Sequence, residues 1–340
     1  MSGSVGADQA IPRQRFDGQP LALLGGLALL ALPLTGSASS WATLTLAGLA
    51  MGLIVFIIAS GLTLVFGLMD VLNFGHGLFI AVGAFVATTV LGLLGGWVAS
   101  PGLGPNLLAV AAACLAGMLA AAAVGLVFER VLVRPVYGLH LKQILITMGG
   151  MIIGEELLKM HYGAQLVPQP LPEALRGSLL LPGDVALERF RLLAMLVGVA
   201  VLLVLLWVLN RTKVGLLIRA GVQDREMVES LGYRVRRLFV ATFVVGAALA
   251  GLGGVLWGLY QQGVTPRIGH EVNVLLFIVI IIGGLGSTAG CLVGALLVGL
   301  VANYTGFIAP KLALFSNIAL MGAVLLWRPE GLYPVARRAG

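Results

Sequence analysis

The chain has 340 residues, 59% of them hydrophobic and 10% charged, with a formal charge of +7 and a mean hydropathy of +1.04. Apolar stretches near twenty residues long recur along it, more apolar surface than a soluble core can use, which excludes a soluble globular protein. The excess positive charge is accounted for by cationic loops at the inner face of a membrane and gives no reason to invoke nucleic acid.

Residues 1–19 form a polar tail with Arg13 and Arg15, followed by an apolar run from Leu21 to Leu34 and the small residues Thr35 to Ser40. That layout fits a cleaved signal peptide as well as a first transmembrane helix; the weakly basic leader and the apolar run immediately behind favour the helix. Apolar spans are read at 21–35, 42–68, 77–98, 107–128, 141–160, 190–209, 239–260, 273–284, 290–306 and 312–327. The expected fold is an all-α polytopic bundle of about 8–10 transmembrane helices with half-membrane or broken segments. Breaks are expected at 66–77 and where GGLGSTAG interrupts 273–306. A helix of twelve residues reaches only about 18 Å, short of a bilayer core near 30 Å. Both chain ends fall on one side. With that side cytoplasmic, the outer segments hold Lys159, Arg176, Arg189, Arg191, Arg267 and Lys311, and the inner segments hold the other fifteen of the 21 lysines and arginines. This positive-inside bias makes the tails 1–19 and 329–340 cytoplasmic, around one transmembrane domain at 20–328.

At the first break, MDVLNFGHG gathers Asp70, Asn73 and His76 between glycines that let the backbone turn, with Thr63 before it. Polar side chains at membrane depth cost free energy unless they face protein or water. Thr63, Asn73, His76 and Asn273 are the candidate solute path; helix capping at a membrane edge is the competing reading. Asn303, Gln261 and Gln262 are weaker candidates of the same kind. Near the outer end of span 141–160, Glu155 and Glu156 stand one turn from Lys159 and His161, a spacing that predicts surface pairing. The external loop 163–191 contains Pro168, Pro170, Pro172 and Pro182 and is expected either to present a fixed surface or to act as a connector with a short helix.

The loop 210–238 is the polar exception, with seven lysines and arginines plus Asp224, Glu226 and Glu229. Residues Gln223 to Leu231 predict a two-turn helix with Met227, Val228 and Leu231 on an apolar side and Asp224, Arg225, Glu226 and Glu229 on a charged one. Gly221 and Gly232 are its expected breakers. So short a helix is not stable alone and would gain from docking in a groove on another protein. Beyond it, Gly246, Ala250, Gly254 and Gly258 recur every four residues, a smooth stripe for close helix packing. Gly48 with Gly52 and Gly290 with Gly294 repeat the pattern.

No catalytic or metal constellation is read. GGLGST at Gly283 to Thr288 lacks the lysine a nucleotide-binding loop needs, and neither an HExxH pair nor a GxSxG elbow occurs. Cys114 and Cys291 lie in apolar stretches and build neither a disulfide framework nor a metal site. An ion-coupled secondary transporter would keep several carboxylates at mid-membrane, and a non-transporting scaffold is a third reading.

The segment GLTLVFGLMDVLNFGHG (Gly61 to Gly77) resembles the signature of the permeases of branched-chain amino acid ABC importers, a family that includes urea, amide and aromatic-acid importers. The resemblance continues through ERVLVRP (Glu129 to Pro135), the loop from Arg211 to Gly258, GGLGSTAGCLVGA (Gly283 to Ala295) and RPEGLYP (Arg328 to Pro334). It implies a membrane subunit of the bacterial inner membrane, paired with a second permease that resembles it as a paralogue. It also implies two cytoplasmic ATPases, which carry ATP and Mg, and a periplasmic solute-binding protein. The docking helix would involve Arg219, Gln223, Asp224, Arg225, Glu226, Met227, Glu229, Leu231 and Gly232, while Asn73 and His76 fall on the family's NFxHG element. Leu78 stands where many members carry a glutamate, and Gln223 where many have an acidic residue. The implied path is therefore less polar, and branched-chain specificity does not follow from the resemblance.

Overall fold

The computed structural model describes residues 18–223 and 225–334, and for Arg219, Val222, Gln223, Arg225, Glu226 and Leu314 only the backbone course. Most of the two expected tails and Asp224 lie outside the described residues. Helix α1 (Gln19–Ala31) leads into α2 (Ala38–Met69), whose N-cap Ser37 accepts the Ser40 N–H at 3.1 Å. After a break come α3 (His76–Leu93), the single turn α4 (Gly95–Val98) and α5 (Leu103–Phe128), which runs into a π-helical turn at Glu129–Val133. Next are α6 (His140–Tyr162), strands β1 (Val167–Pro168), β2 (Ser178–Leu181) and β3 (Val185–Glu188), and α7 (Arg189–Arg211). Helices α8 (Lys213–Gln223) and α9 (Arg225–Ser230) occupy the polar loop. They are followed by α10 (Val235–Gln261), β4 (Gly263–Val264), α11 (Ile268–Gly283), α12 (Thr288–Ile308) and α13 (Ala313–Trp327).

The all-α reading holds. Among the described residues six helices, α2, α3, α5, α7, α10 and α12, are long and apolar enough to cross a membrane. The other expected spans appear as the shorter helices α1, α11 and α13 and as α6, which carries Lys142, Glu155, Glu156 and Lys159. Both expected breaks are present, between Met69 and His76 and between Gly283 and Thr288.

Helix α2 is apolar on every side and forms the axis of the fold: Ile54 through Ala59 are all 0% exposed, and α7, α10 and α12 pack around it. Glycine sets how closely they approach. A Cβ on Gly246 would sit 2.7 Å from the Gly61 carbonyl oxygen, and one on Gly254 would overlap the Ile80 carbonyl. Ala250 is fully buried between them, and Gly258 meets the side chain of Gln169, so the stripe on α10 faces α2, α3 and the loop 163–191 in turn. Gly52 and Gly290 are equally confined, against α12 and Gly283 respectively.

The loop 163–191 is more ordered than a connector with one short helix. β2 and β3 form an antiparallel hairpin, Leu179 opposite Leu187, around the turn Pro182–Gly183–Asp184, in which Gly183 and Asp184 take positive φ. Proline-glycine is a strong turn signal, and the flanking leucines and valine extend readily, which favours the hairpin over a helix. β1 pairs with β4, and the buried Gln169 accepts the Thr88 hydroxyl at 3.3 Å, fastening the loop across α3 and α10.

The two ends of the bundle are chemically distinct. One gathers the hairpin, Gln262 and Tyr162, whose hydroxyl lies 2.8 Å from that of Thr89. The opposite end gathers Asp70 and His140, 3.8 Å apart, together with α8, α9 and the closing segment, where the Leu332 N–H donates to Ile282 at 2.9 Å and Arg328 bonds Gln19.

A candidate solute path and a candidate docking loop

Helix α2 stops at Asp70, which takes the left-handed conformation (φ 51°, ψ 36°) while its N–H still bonds Phe66. The chain then climbs from the end of the bundle to a level deep inside it. His76 sits beside Ile58, its Nε2 3.2 Å from that carbonyl oxygen, so α3 begins well inside the bundle. Asn73 closes this ascent locally, its Oδ1 accepting the Gly75 N–H at 3.0 Å. Side chains from two neighbouring helices hold the strap between them. Thr147 of α6 accepts the Phe74 N–H at 3.1 Å, and Asn273 of α11 donates to the Phe74 carbonyl at 2.9 Å. Gly75 and Gly77 leave no room for a Cβ, one against Phe128 and Thr147, the other against Gly269.

The four candidate path residues divide. Asn73 and His76 are 1% and 0% exposed, and their bonds are to the strap and to α2, as capping and bracing groups. Thr63 is buried beside Cys291 of α12, and among the described residues it bonds none of the other three. Asn273 is 7% exposed. It lines a cavity of about 180 Å3 with Phe74, Met148, Met151, Ile152, His270, Val274 and Phe277, between α6 and α11. The rings of Phe74 and Phe277 stack there at 4.5 Å, and Ile152 and Val274 are more than half exposed.

His270 is a residue the sequence reading passed over. Its Nε2 lies 3.0 Å from Glu155 Oε2, and Lys159 Nζ lies 2.8 Å from both Glu155 and Glu156. The expected pairing along α6 is therefore present, with a partner from α11 that local spacing could not show. His161 packs on Tyr162 instead.

In the polar loop the short helix is α9, Arg225–Ser230, closed by Gly232 at φ +84°. Gly221 is no breaker: it lies within α8, because a glycine inside a helix lowers stability without ending the hydrogen-bond ladder. The expected apolar side splits as well. Met227 is 50% and Leu231 67% exposed, whereas Val228 is 2% exposed, turned into the bundle. Met227 points about 100° away from Val228 along the helix, and Leu231 lies past the helix end, which separates both from Val228. Glu229 is exposed on the same helix. The side chains of Arg219, Gln223, Asp224, Arg225 and Glu226 lie outside the described residues.

A family model described as branched-chain amino acid transport system / permease component matches residues 44–327. The chain is 31% identical over 292 residues to the high-affinity branched-chain amino acid transport system permease protein BraD of Pseudomonas aeruginosa, covering 84% of this chain and 93% of that protein. It is 28% identical to the corresponding LivH of Escherichia coli over 84% of this chain and 92% of the relative. The permease LivM of the same bacterium matches over 41% of this chain and 34% of its own length, at 30% identity. No solved structure matches. A match over most of the chain, on a bundle whose described residues include six helices long and apolar enough to cross a membrane, places this protein in the family of permease components of branched-chain amino acid transport systems.

Proposed function

We propose that this chain is one of two permease subunits of an ATP-driven importer in the bacterial inner membrane. The second subunit is a paralogue, two cytoplasmic ATPases bind and hydrolyse ATP with Mg, and a periplasmic binding protein delivers the solute. The observation that carries this reading is α9, a helix of six residues seated by Val228 while Leu231, just past its end, is 67% exposed. A helix that short gains its order from what covers it, and its place between two membrane helices suits an ATPase groove. The arginine-rich end of the bundle is the cytoplasmic one under the positive-inside rule, with both chain ends there and loop 163–191 outside. Residues 20–328 then form a single permease domain.

The cavity between α6 and α11 is this subunit's half of the path. Its lining is apolar apart from Asn273 and His270, which suits a small amphipathic solute, a branched-chain or other amino acid or a related carboxylate, amide or urea. The relatives' names favour the first of these. Asn73, His76 and Thr63 shape the path from behind. Helix α9, Arg219 and Gly232 receive the ATPase stroke.

Reconstitution with the partner subunits tests the proposal. Gly232→Pro, or Glu226→Arg with Glu229→Arg, is expected to abolish ATP-driven uptake while membrane insertion stays normal. Full uptake by these variants overturns the reading, and uptake driven by a proton or sodium gradient without ATP replaces it with an ion-coupled carrier.

A further inference from the structure

At the polar end of the bundle a cavity of about 810 Å3 opens between the π-helical turn that closes α5 and the first turns of α10. Arg130, Arg134, Arg234, Arg236 and Arg237 line it, with Glu129, Glu229 and Tyr233 as the other polar side chains. None of these five arginines forms a salt bridge among the described residues. The five arginines are exposed at the mouth of the hollow, and with two carboxylates the lining stays net positive, which favours an anion among them. The π turn arranges part of this: the Arg134 N–H bonds the Glu129 carbonyl, and Arg130 and Arg134, four apart, share its outer side.

Two further observations narrow the occupant. Val127 and Val131, one on each side of Arg130 along the chain, are 60% and 61% exposed. In a membrane helix these apolar side chains border lipid, so hydrocarbon and the mouth of the cavity adjoin at headgroup level. Glu129 is fully buried in the cavity wall; its Oε1 accepts the Tyr137 hydroxyl at 2.7 Å, while Oε2 has no partner. A buried carboxylate oxygen left without a donor calls for a ligand that donates a hydrogen bond as well as bearing negative charge.

We propose that this cavity binds the headgroup of an anionic, glycerol-bearing phospholipid of the phosphatidylglycerol kind. Arg130, Arg134, Arg234 and Arg237 hold the phosphate, a glycerol hydroxyl donates to Glu129 Oε2, and the acyl chains lie along Val127 and Val131. Phosphatidylcholine offers no net charge and no headgroup hydrogen to donate. The site depends on the polar end of the bundle and holds for whichever leaflet meets it; Glu229 of α9 borders it, but the arginines assigned to the phosphate lie outside the docking helix.

The test uses the purified full chain, delipidated in detergent and given dioleoyl-phosphatidylglycerol or dioleoyl-phosphatidylcholine, with bound lipid counted by native mass spectrometry. Phosphatidylglycerol is expected to stay bound and to raise the wild type's unfolding temperature, whereas phosphatidylcholine does neither. Arg134→Gln with Arg234→Gln weakens retention about thirty-fold, Arg134→Lys with Arg234→Lys preserves most of it, and Arg176→Gln with Lys311→Gln, remote from the cavity, leaves it unchanged. Equal retention of the two lipids, undiminished retention by the glutamine pair, or an equal loss in the remote pair overturns the proposal. Displacement of the lipid by inorganic phosphate at about 10 mM shows a free-anion site and overturns it too. The unfolding shift needs no variant, so the proposal stays testable if the glutamine pair fails to fold.

Discussion

His270 of α11 lies 3.0 Å from Glu155 of α6, and Glu155, 9% exposed, also takes Lys159 at 2.8 Å. One carboxylate thus braces the two helices that enclose the cavity beside Asn273. Glu155→Gln is expected to remove about 1.5–3 kcal/mol from stability, since it strips the charge from bonds to two cationic or donor groups. Glu156, whose side chain is 61% exposed, holds only Lys159, and Glu156→Gln is expected to cost about 0–1 kcal/mol. Denaturation of the two variants in one detergent measures the difference, and equal losses would show that the brace across the helices contributes nothing.

Close approach at glycine predicts a contrast within α6. Gly149 has open space where its Cβ would stand, whereas a Cβ on Gly150 would press into Leu132 and Phe128 at 2.6 and 2.7 Å. Gly149→Ala is expected to stabilise by about 0.5–1 kcal/mol through helix propensity, and Gly150→Ala to destabilise by about 1–3 kcal/mol through overpacking. Thermal unfolding of the pair checks the sign as well as the size.

The docking face separates stability from transport. Met227→Ser with Leu231→Ser alters exposed side chains and is expected to leave the unfolding temperature unchanged while ATP-driven uptake falls at least about tenfold. Val228→Ser places a hydroxyl in a buried site and is expected to cost about 2–3 kcal/mol of stability. Uptake at the normal rate in the double variant would remove Met227 and Leu231 from the ATPase contact.

Asn273 is expected to matter twice, as a clamp on Phe74 and as a polar group on the path. Asn273→Ala leaves the Phe74 carbonyl without its donor at a cost of about 1–3 kcal/mol and lowers uptake in reconstituted vesicles. Asn303, which donates to the Gly299 carbonyl at 2.9 Å within its own helix, is the control; Asn303→Ala is expected to transport normally. Equal uptake in the two variants would exclude Asn273 from the path.

Much of the fold was legible because its causes are local. Apolar runs of helix length, the glycines and polar residues of MDVLNFGHG, and the bar of arginines around 210–238 act within one or two turns of themselves, and each appears in the structure as an element or a break. The docking helix shows where local reading stops. Its apolar residues are evident in the sequence, but only burial against the bundle separates Val228 from Met227 and Leu231. The hairpin at 178–188 turns at Pro182–Gly183, a local signal, but its pairing needs strands whose leucines read equally well as apolar loop residues.

The candidate path was less legible. Polarity at membrane depth selected Thr63, Asn73, His76 and Asn273 alike, since a sequence shows that a polar residue is costly without showing what satisfies it. In the folded chain Asn73 Oδ1 and His76 Nε2 meet backbone groups, whereas Asn73 Nδ2 and His76 Nδ1 are buried with no partner among the described residues, and Asn273 lines a cavity with His270.

By itself, then, the sequence determined a polytopic helical membrane protein, its breaks, its charged end and its family signature, all properties of composition and short-range spacing. Tertiary structure decided which residues meet across helices: His270 with Glu155, Asn273 with Phe74, and the arginines of α5 with those of α10 around one cavity. Those partners are separated by about a hundred residues or more, and only the packing of helices, set by glycine contacts too distant for any local pattern, brings them to one place.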